Sequence, residues 1–248
     1  MTAVGGPIDQ ARSFGLVASV YHSARPGYPV EAVSWLIGDA ARILDLGAGT
    51  GKLTQALVSL DREVIAVDPV EEMLEELEVQ VPGVPRILGT AEDIPIEDAS
   101  VDAVVAGQSW HWFEPARAIP EIARVLKPGG VLGLVWNTRD TRVDWLREAG
   151  EIMHERHDAS ATWDSYATVG RPFGDLEEHT VEWTARMSRP AFLDLVRSRS
   201  YFITAEAGAQ SATIDALEAL LDRHPDVAGE SDVDVPYLTR CFRARLGA

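Results

Sequence analysis

Residues 43–54 read ILDLGAGTGKLT, an apolar run that meets glycine at 47, 49 and 51. Glycines where a strand turns into a helix let the backbone bend sharply and let a ligand lie against the chain, because no Cβ intervenes. The spacing is G-x-G-x-G, not the G-x-G-x-x-G of a dinucleotide loop. Lys52 is followed by Leu53, so the G-K-[ST] of a phosphate-cradling loop is missing too. A loop that receives a nucleoside without gripping a pyrophosphate implies an adenosine-type cofactor with no phosphates; the alternative is a tight turn that serves packing alone. Asp68 follows Gly47 by 21 positions at the close of the run EVIAVD. An acid so placed can accept hydrogen bonds from both ribose hydroxyls, or can cap the helix that begins beyond Pro69.

Two further segments carry polar groups at strand ends. LGTAEDIP (88–95) presents Ala91, Glu92 and Asp93, which can face an adenine edge or form an acidic surface loop. In GQSWHWF (107–113), Gln108 and Ser109 interrupt an apolar strand before Trp110 and Trp112, which flank His111. Aromatic faces attract cations, so either tryptophan can face a sulfonium or wall an acceptor pocket. His111 titrates near neutrality and suits a general base; the alternative is a histidine tucked under a helix N-terminus. His154 and His157 are spaced three apart without a cysteine or acid cluster beside them, so no metal site is expected. No G-x-S-x-G nucleophile elbow occurs.

Alternating strand and helix patterns must position these groups. Strands are expected at 42–46, 63–68, 84–89, 101–108 and 131–137, with helices at 52–60, 70–79 and 114–126 between them and KPGG (127–130) breaking the last helix. That alternation implies right-handed βαβ units around a parallel, doubly wound sheet. Beyond it, helices are expected at 141–157, 190–202 and 212–224 and strands at 179–187 and 235–246. The chain reads as one domain: a helical cover over 1–40, a core over 41–137, and added helices with strands six and seven over 138–248.

Composition narrows the partners. With 39 acids against 22 Lys and Arg, the 248-residue chain carries a net charge of −17. Phosphate backbones and anionic membranes are bound through basic residues, so neither nucleic acid nor a membrane surface is expected. No apolar run approaches the roughly 20 residues of a membrane span, and no secretory signal opens the sequence. A single cysteine, Cys241, forms no internal disulfide and fits a cytoplasmic location.

In order and spacing, LDLGAGTGKLT, Asp68, AEDIP and RVLKPGG before the fifth strand resemble the motif series of the class I S-adenosylmethionine-dependent methyltransferases, over nearly the whole chain. The segments FGLVASVYHSARPGYP (14–29), SWHWF (109–113) and SRSYF (198–202) look like those of the bacterial and fungal subgroup with trans-aconitate methyltransferase-like (methyltransferase type 11) proteins. The resemblance implies an α/β fold: a Rossmann-like, doubly wound, mostly parallel seven-stranded sheet with the last strand antiparallel. It also implies S-adenosyl-L-methionine as cofactor and S-adenosyl-L-homocysteine as product. The expected cofactor residues are Tyr21, Arg25, Gly47, Ala48, Gly49, Thr50, Asp68, Pro69, Met73, Ala91, Glu92, Asp93, Gln108 and Ser109. Thr90 departs from the family pattern, in which many relatives carry an acid before the Ala-Glu pair, so adenine contacts can shift by a residue or two.

For the acceptor, the resemblance implies a small molecule methylated on oxygen, a carboxylate or a hydroxyl. His111 is the candidate base, Trp110 and Trp112 the candidate walls, and Arg139, Arg142 and Arg171 the candidates for holding an acidic acceptor. The protein is expected as a monomer or homodimer. Methylation of nitrogen or carbon, a cofactor-binding module without turnover, a nucleic-acid methyltransferase and a nicotinamide oxidoreductase are the competing readings. The charge and the absence of [DN]-P-P-[YF] after the fourth strand disfavour the nucleic-acid enzyme, and the glycine spacing disfavours the oxidoreductase.

Overall fold

A computed structural model describes residues 22, 25–153 and 169–247. The first helix, α1 (Val30–Ile37), leads into β1 (Arg42–Leu46), α2 (Lys52–Val58), β2 (Glu63–Asp68), α3 (Glu71–Gln80) and β3 (Arg86–Leu88). After a long loop come β4 (Val101–Gly107), a single 3₁₀ turn (Trp110–Trp112), α4 (Pro115–Val125) and β5 (Leu126–Arg139). The remainder forms α5 (Asp144–Ile152), β6 (Glu177–Ser188), α6 (Arg189–Arg197), α7 (Ser200–Ile203), α8 (Ala207–Arg223) and β7 (Asp232–Arg245).

All seven strands form one sheet in the order β3-β2-β1-β4-β5-β7-β6. Strands β1 to β5 pair in parallel, and β7 lies antiparallel between β5 and β6. This is the doubly wound, Rossmann-like sheet with an antiparallel last strand that the family resemblance implies. The chain steps outward from β1 to β3, then returns to place β4 on the other side of β1. Ligands bind in the crevice above such a reversal.

Strand composition explains why both faces are covered. Ile43, Ala103 and Val105 pack with α1, α2 and α3 on one face, while Leu44, Leu46, Val104 and Ala106 pack with Ala118, Ile122 and Val125 of α4 on the other. Successive side chains alternate across a strand, so a strand apolar at nearly every position must be buried on both sides. A third apolar cluster joins Trp145 of α5, Phe192 of α6 and Leu217 and Leu220 of α8 to Tyr237 of β7. Those helices form a separate layer over the β7–β6 end of the sheet.

Several boundaries move. Strand β5 begins at Leu126, not 131, because Leu126 pairs with Val101, and it extends to Arg139 along the long β7 ladder. Strand β7 starts at Asp232. The helix expected over 190–202 divides into α6 and α7, where the Ser198 hydroxyl donates to the Leu195 carbonyl at 2.7 Å and so competes with helix continuation. Helix α8 begins at Ala207, ahead of the expected 212. His154 and His157 lie outside the described residues.

Candidate functional site

At the carboxyl ends of β1, β2, β4 and β5 the sheet opens into a cavity of about 480 Å³, a size suited to a small molecule. The glycine loop forms its floor. Gly47 and Ala48 both donate backbone N–H groups to the Val67 carbonyl, at 2.8 and 3.1 Å, which ties the loop to the end of β2. Gly47 has φ +70°, and a Cβ there would meet Ser109 Cβ at 2.6 Å. Packing therefore demands glycine at 47. Gly49 has φ +55° with nothing within 4 Å of where a Cβ would be. Its glycine answers to backbone conformation, and the space above it is open to a ligand.

Asp68 is buried at the close of β2 and receives the N–H of Gly49 at 2.8 Å on one oxygen and that of Val70 at 2.9 Å on the other. It thus caps the approach to α3 and orders the glycine loop at once. A carboxylate offers about four acceptor positions, so two remain for donors in the cavity. Burial pushes its pKa up to about 6, against the lowering effect of those two N–H groups.

Asp45, in the middle of the apolar strand RILDL, is fully buried and lines the same cavity. Its Oδ2 accepts from the Thr54 hydroxyl at 2.6 Å, while its Oδ1 has no partner among the described residues. Burial raises its pKa to about 7; the Thr54 hydroxyl opposes that rise and the charge of Asp68 adds to it. A buried carboxylate oxygen left unpaired is costly, and a donor or cation in the cavity would complete it. On the far side of the loop, Nδ1 of the buried His22 lies 3.1 Å from both the carbonyl and the hydroxyl of Thr50. Burial lowers the pKa of His22, and the nearby Lys52 charge lowers it further. Burial also lowers the pKa of Lys52, which lines the cavity.

The end of β4 supplies the next wall. Gln108 holds φ +53°, rare for a residue with a side chain, and donates its N–H to the Val135 carbonyl at 2.9 Å. The Ser109 hydroxyl donates to the Leu46 carbonyl at 2.9 Å, locking β4 to β1. His111 and Trp112 line the cavity, with ring centroids 4.7 Å apart. His111 is exposed at the cavity, and burial by the surrounding protein lowers its pKa, which favours the neutral imidazole that can take a proton.

The last wall is assembled from distant segments. Asn137, near the end of β5, donates to the Gly27 carbonyl at 2.8 Å and accepts from the Thr239 hydroxyl at 2.6 Å. The Thr239 hydroxyl in turn accepts from the Trp183 indole at 2.7 Å. This chain, buried at its Asn137–Thr239 link, holds residues 25–28 over the cavity, where Arg25 donates to the Ser198 carbonyl at 3.3 Å. Arg139, Arg199 and Tyr201 complete the lining.

Of the residues expected from sequence, Arg25, Gly47, Ala48, Gly49, Thr50, Asp68, Pro69, Met73, Gln108, Ser109, His111, Trp112 and Arg139 meet in this cavity. Others do not line it. Ala91 is buried in the core, the Glu92 carboxylate accepts the Glu114 N–H at 2.8 Å, and Asp93 is exposed in a short bridge with Thr90. Trp110 is 4% exposed and packs edge-on against Phe113 with centroids 5.7 Å apart, as core and not wall. Arg142 is engaged by Asp140 and Glu182 at the surface, and Arg171 is exposed in the turn before Phe173. Tyr21 lies outside the described residues.

Sequence reasoning missed Asp45, Tyr28, Lys52, Asn137, Arg199 and Tyr201. Asp45 had a signal: one acid inside an apolar strand must be buried with a reason. Asn137 had a weaker one, a polar residue closing VLGLVWN. Arg199 and Tyr201 had none beyond belonging to SRSYF. Among the described residues no cluster of three His, Cys, Asp or Glu side chains could hold a metal ion, and no helix is long and apolar enough to cross a membrane.

Comparison with known proteins bears on this geometry. Residues 44–134, the span from β1 into β5, match a methyltransferase domain family. An uncharacterized methyltransferase of Mycobacterium tuberculosis is 51% identical over 239 residues, covering 96% of this chain and 97% of its own. A malonyl-[acyl-carrier protein] O-methyltransferase of Methylococcus capsulatus is 32% identical over 194 residues, covering 74% of this chain and 68% of its own. Among solved structures, a type II methyltransferase candidate from Anaeromyxobacter dehalogenans is 28% identical with a TM-score of 0.68, over 90% of this chain and 98% of that one.

Proposed function

This chain belongs to the class I S-adenosylmethionine-dependent methyltransferases, and from that premise we propose that it binds S-adenosylmethionine in the cavity and transfers the methyl group to an oxygen of a small-molecule acceptor. One observation carries the reading: a single cavity joins the open space above Gly49, the two remaining acceptor positions of Asp68, and the unpaired Oδ1 of Asp45. These fit a nucleoside with a ribose diol and an ammonium group. Asp68 would hold the ribose hydroxyls, Gly47, Ala48 and Gly49 the methionine part, and Asp45 its ammonium. Pro69 and Met73, which follow Asp68 along the same wall, would pack against the nucleoside.

When bound, the cofactor supplies a methyl carbon already activated by positive sulfur. The protein's task is then to hold the acceptor oxygen in line and exclude water. Gln108, Trp112 and Tyr201 wall the space where that acceptor would sit. A carboxylate acceptor is nucleophilic at neutral pH and needs no base. A hydroxyl acceptor needs its proton removed, and the neutral His111 would take it. Attack on oxygen is favoured by the similarity to a relative named as an O-methyltransferase.

Calorimetry tests the cofactor reading. Micromolar binding of S-adenosylmethionine is expected, and its loss in Asp68→Ala; comparable binding of NAD would sink it. Turnover of labelled cofactor against a metabolite panel then separates an enzyme from a binding module. His111→Ala, assayed across pH 6–9, keeps full rate if the acceptor is a carboxylate and loses it if His111 is the base.

A further inference from the structure

Thr50 sits between two glycines in the left-handed region, Gly49 at φ +55° and Gly51 at φ +87°. Glycine leaves the backbone free to rotate on either side, so the place of Thr50 depends on what grips it. The residue is 2% exposed and lines the cavity. The first carbonyl taken up by α2 is that of Gly51, which accepts the Gln55 N–H at 2.8 Å. The Thr50 carbonyl lies just outside the helix, and among the described residues no backbone N–H donates to it. A buried carbonyl needs a donor.

His22, itself buried, stands where that donor is required. Its Nδ1 is 3.1 Å from the Thr50 carbonyl oxygen and 3.1 Å from the Thr50 hydroxyl. A carbonyl only accepts, so a ring nitrogen bonded to it must carry the proton. Burial and the Lys52 charge favour the neutral ring, against the Thr50 carbonyl and the Glu76 charge. A neutral imidazole has a single N–H, and the backbone of the glycine loop claims it. Asp68 meanwhile holds the Gly49 N–H at 2.8 Å. The loop is thus gripped twice, by an acceptor at the end of β2 and by a donor 28 positions upstream of Thr50.

We propose that His22 is a positioning residue for the amino-acid arm of the cofactor. Through Nδ1–H it fixes the Thr50 carbonyl, and with it the stretch of glycine loop against which the methionine part would lie. The inference rests on the methyltransferase reading above. It separates two duties within the cofactor site. Asp68 faces the ribose, so its loss touches every adenosine ligand; His22 acts through Thr50 and matters only to ligands that carry the arm.

Two ligands differ in that arm: S-adenosylhomocysteine has it, and 5′-methylthioadenosine ends in a methyl group on sulfur. Both are titrated calorimetrically into the full chain. His22→Gln moves the amide toward the Nε2 position, out of reach of Thr50, whereas His22→Asn places an amide N–H close to where Nδ1–H stood. His22→Gln should weaken S-adenosylhomocysteine at least about tenfold, the size of one lost buried hydrogen bond, and methylthioadenosine by less than about threefold. His22→Asn should restore most of the S-adenosylhomocysteine affinity. Equal losses for both ligands, an asparagine variant no better than the glutamine one, or unchanged binding in His22→Gln overturns the proposal. NMR of the unsubstituted chain reads the same bond without a variant. The His22 ring should be the Nδ1–H tautomer with its proton protected from exchange, and an Nε2–H ring overturns the assignment. If the unsubstituted chain binds neither ligand, the cofactor reading fails and the role of His22 falls with it. If it binds both regardless of His22, the cofactor reading stands and only His22 is removed.

Discussion

The β1–β2 wall of the cavity is built from neighbours, and the β5 wall from strangers. Asp45 is bonded to Thr54 and Asp68 to Gly49, partners 9 and 19 positions apart. Across the cavity, the Asn137–Gly27 bond spans 110 positions and the Arg25–Ser198 bond 173. A wall set mainly by short-range bonds and glycine geometry leans less on distant segments, the Ser109 bond to the Leu46 carbonyl being its longest link. A wall assembled by tertiary links can change its side chains without disturbing the sheet, which suits the side that must recognise the variable partner. Between them stands SWHWF, whose two tryptophans belong one to the core and one to the cavity.

That division gives the largest expected effect. Trp110→Ala removes a buried ring from the α4 side of the sheet and should cost about 3–5 kcal/mol, read as a fall in the urea midpoint. Trp112→Ala, at the half-exposed cavity rim, should leave the midpoint within about 1 kcal/mol and weaken acceptor binding instead. Equal destabilisation by both would merge the two tryptophans into one role and erase the boundary between core and wall.

The next effect probes the short-range wall. With its pKa raised to about 7 from an ordinary 3.8, Asp45 holds more protons in the folded than in the unfolded chain between those values. Its contribution to stability is complete below about pH 4 and is lost as pH rises through 7, with a slope of up to about 1.4 kcal/mol per pH unit. Asp45→Asn can keep the Thr54 hydroxyl bond but has no charge to bury. Urea unfolding at pH 5, 6 and 7 should therefore show the unsubstituted chain losing stability with pH relative to the variant. Parallel pH profiles would mean that Asp45 is solvated and unfit to receive an ammonium group.

Legibility in the sequence follows the same divide. The parallel sheet, the glycine loop and Asp68 were readable because each rests on local pattern: apolar runs, turn residues, and a fixed spacing along one βα unit. AEDIP marks where local pattern runs out. Its motif order is local, but the Glu92 carboxylate is taken up by the Glu114 N–H, a partner 22 positions away that no spacing rule foresees. Arg139 and Arg171 looked alike as candidates. Only the fold separates them, since Arg139 extends β5 into the cavity and Arg171 sits in an exposed turn. Arg199 became visible only once α6 and α7 were divided and Ser198 brought against Arg25.

Asn137 tests whether the long-range wall depends on its tertiary links. Asn137→Ala removes a buried acceptor of the Thr239 hydroxyl and a donor to the Gly27 carbonyl. A loss of about 1–2 kcal/mol is expected, together with a larger KM for the acceptor than for the cofactor, because residues 25–28 lose their anchor. If the cofactor KM rises equally, the two walls are not independent.

The smallest effect is the one that asks why Gln108 is there. At φ +53° a residue with a Cβ is strained by about 1–2 kcal/mol, and glycine would relieve that strain at a cost of about 0.5–1 kcal/mol in unfolded-chain entropy. Gln108→Gly should therefore leave stability unchanged or raise it by up to about 1.5 kcal/mol, a Tm gain of roughly 3–6 °C at most for a chain of this size. Strain kept at the carboxyl end of β4, between the two walls, is explained if the side chain touches the acceptor. The same variant should then lose at least tenfold in kcat/KM while its S-adenosylmethionine affinity holds. A Gln108→Gly protein that is destabilised would mean the side chain is held for packing. One that turns over normally would assign acceptor placement to the β5 wall alone.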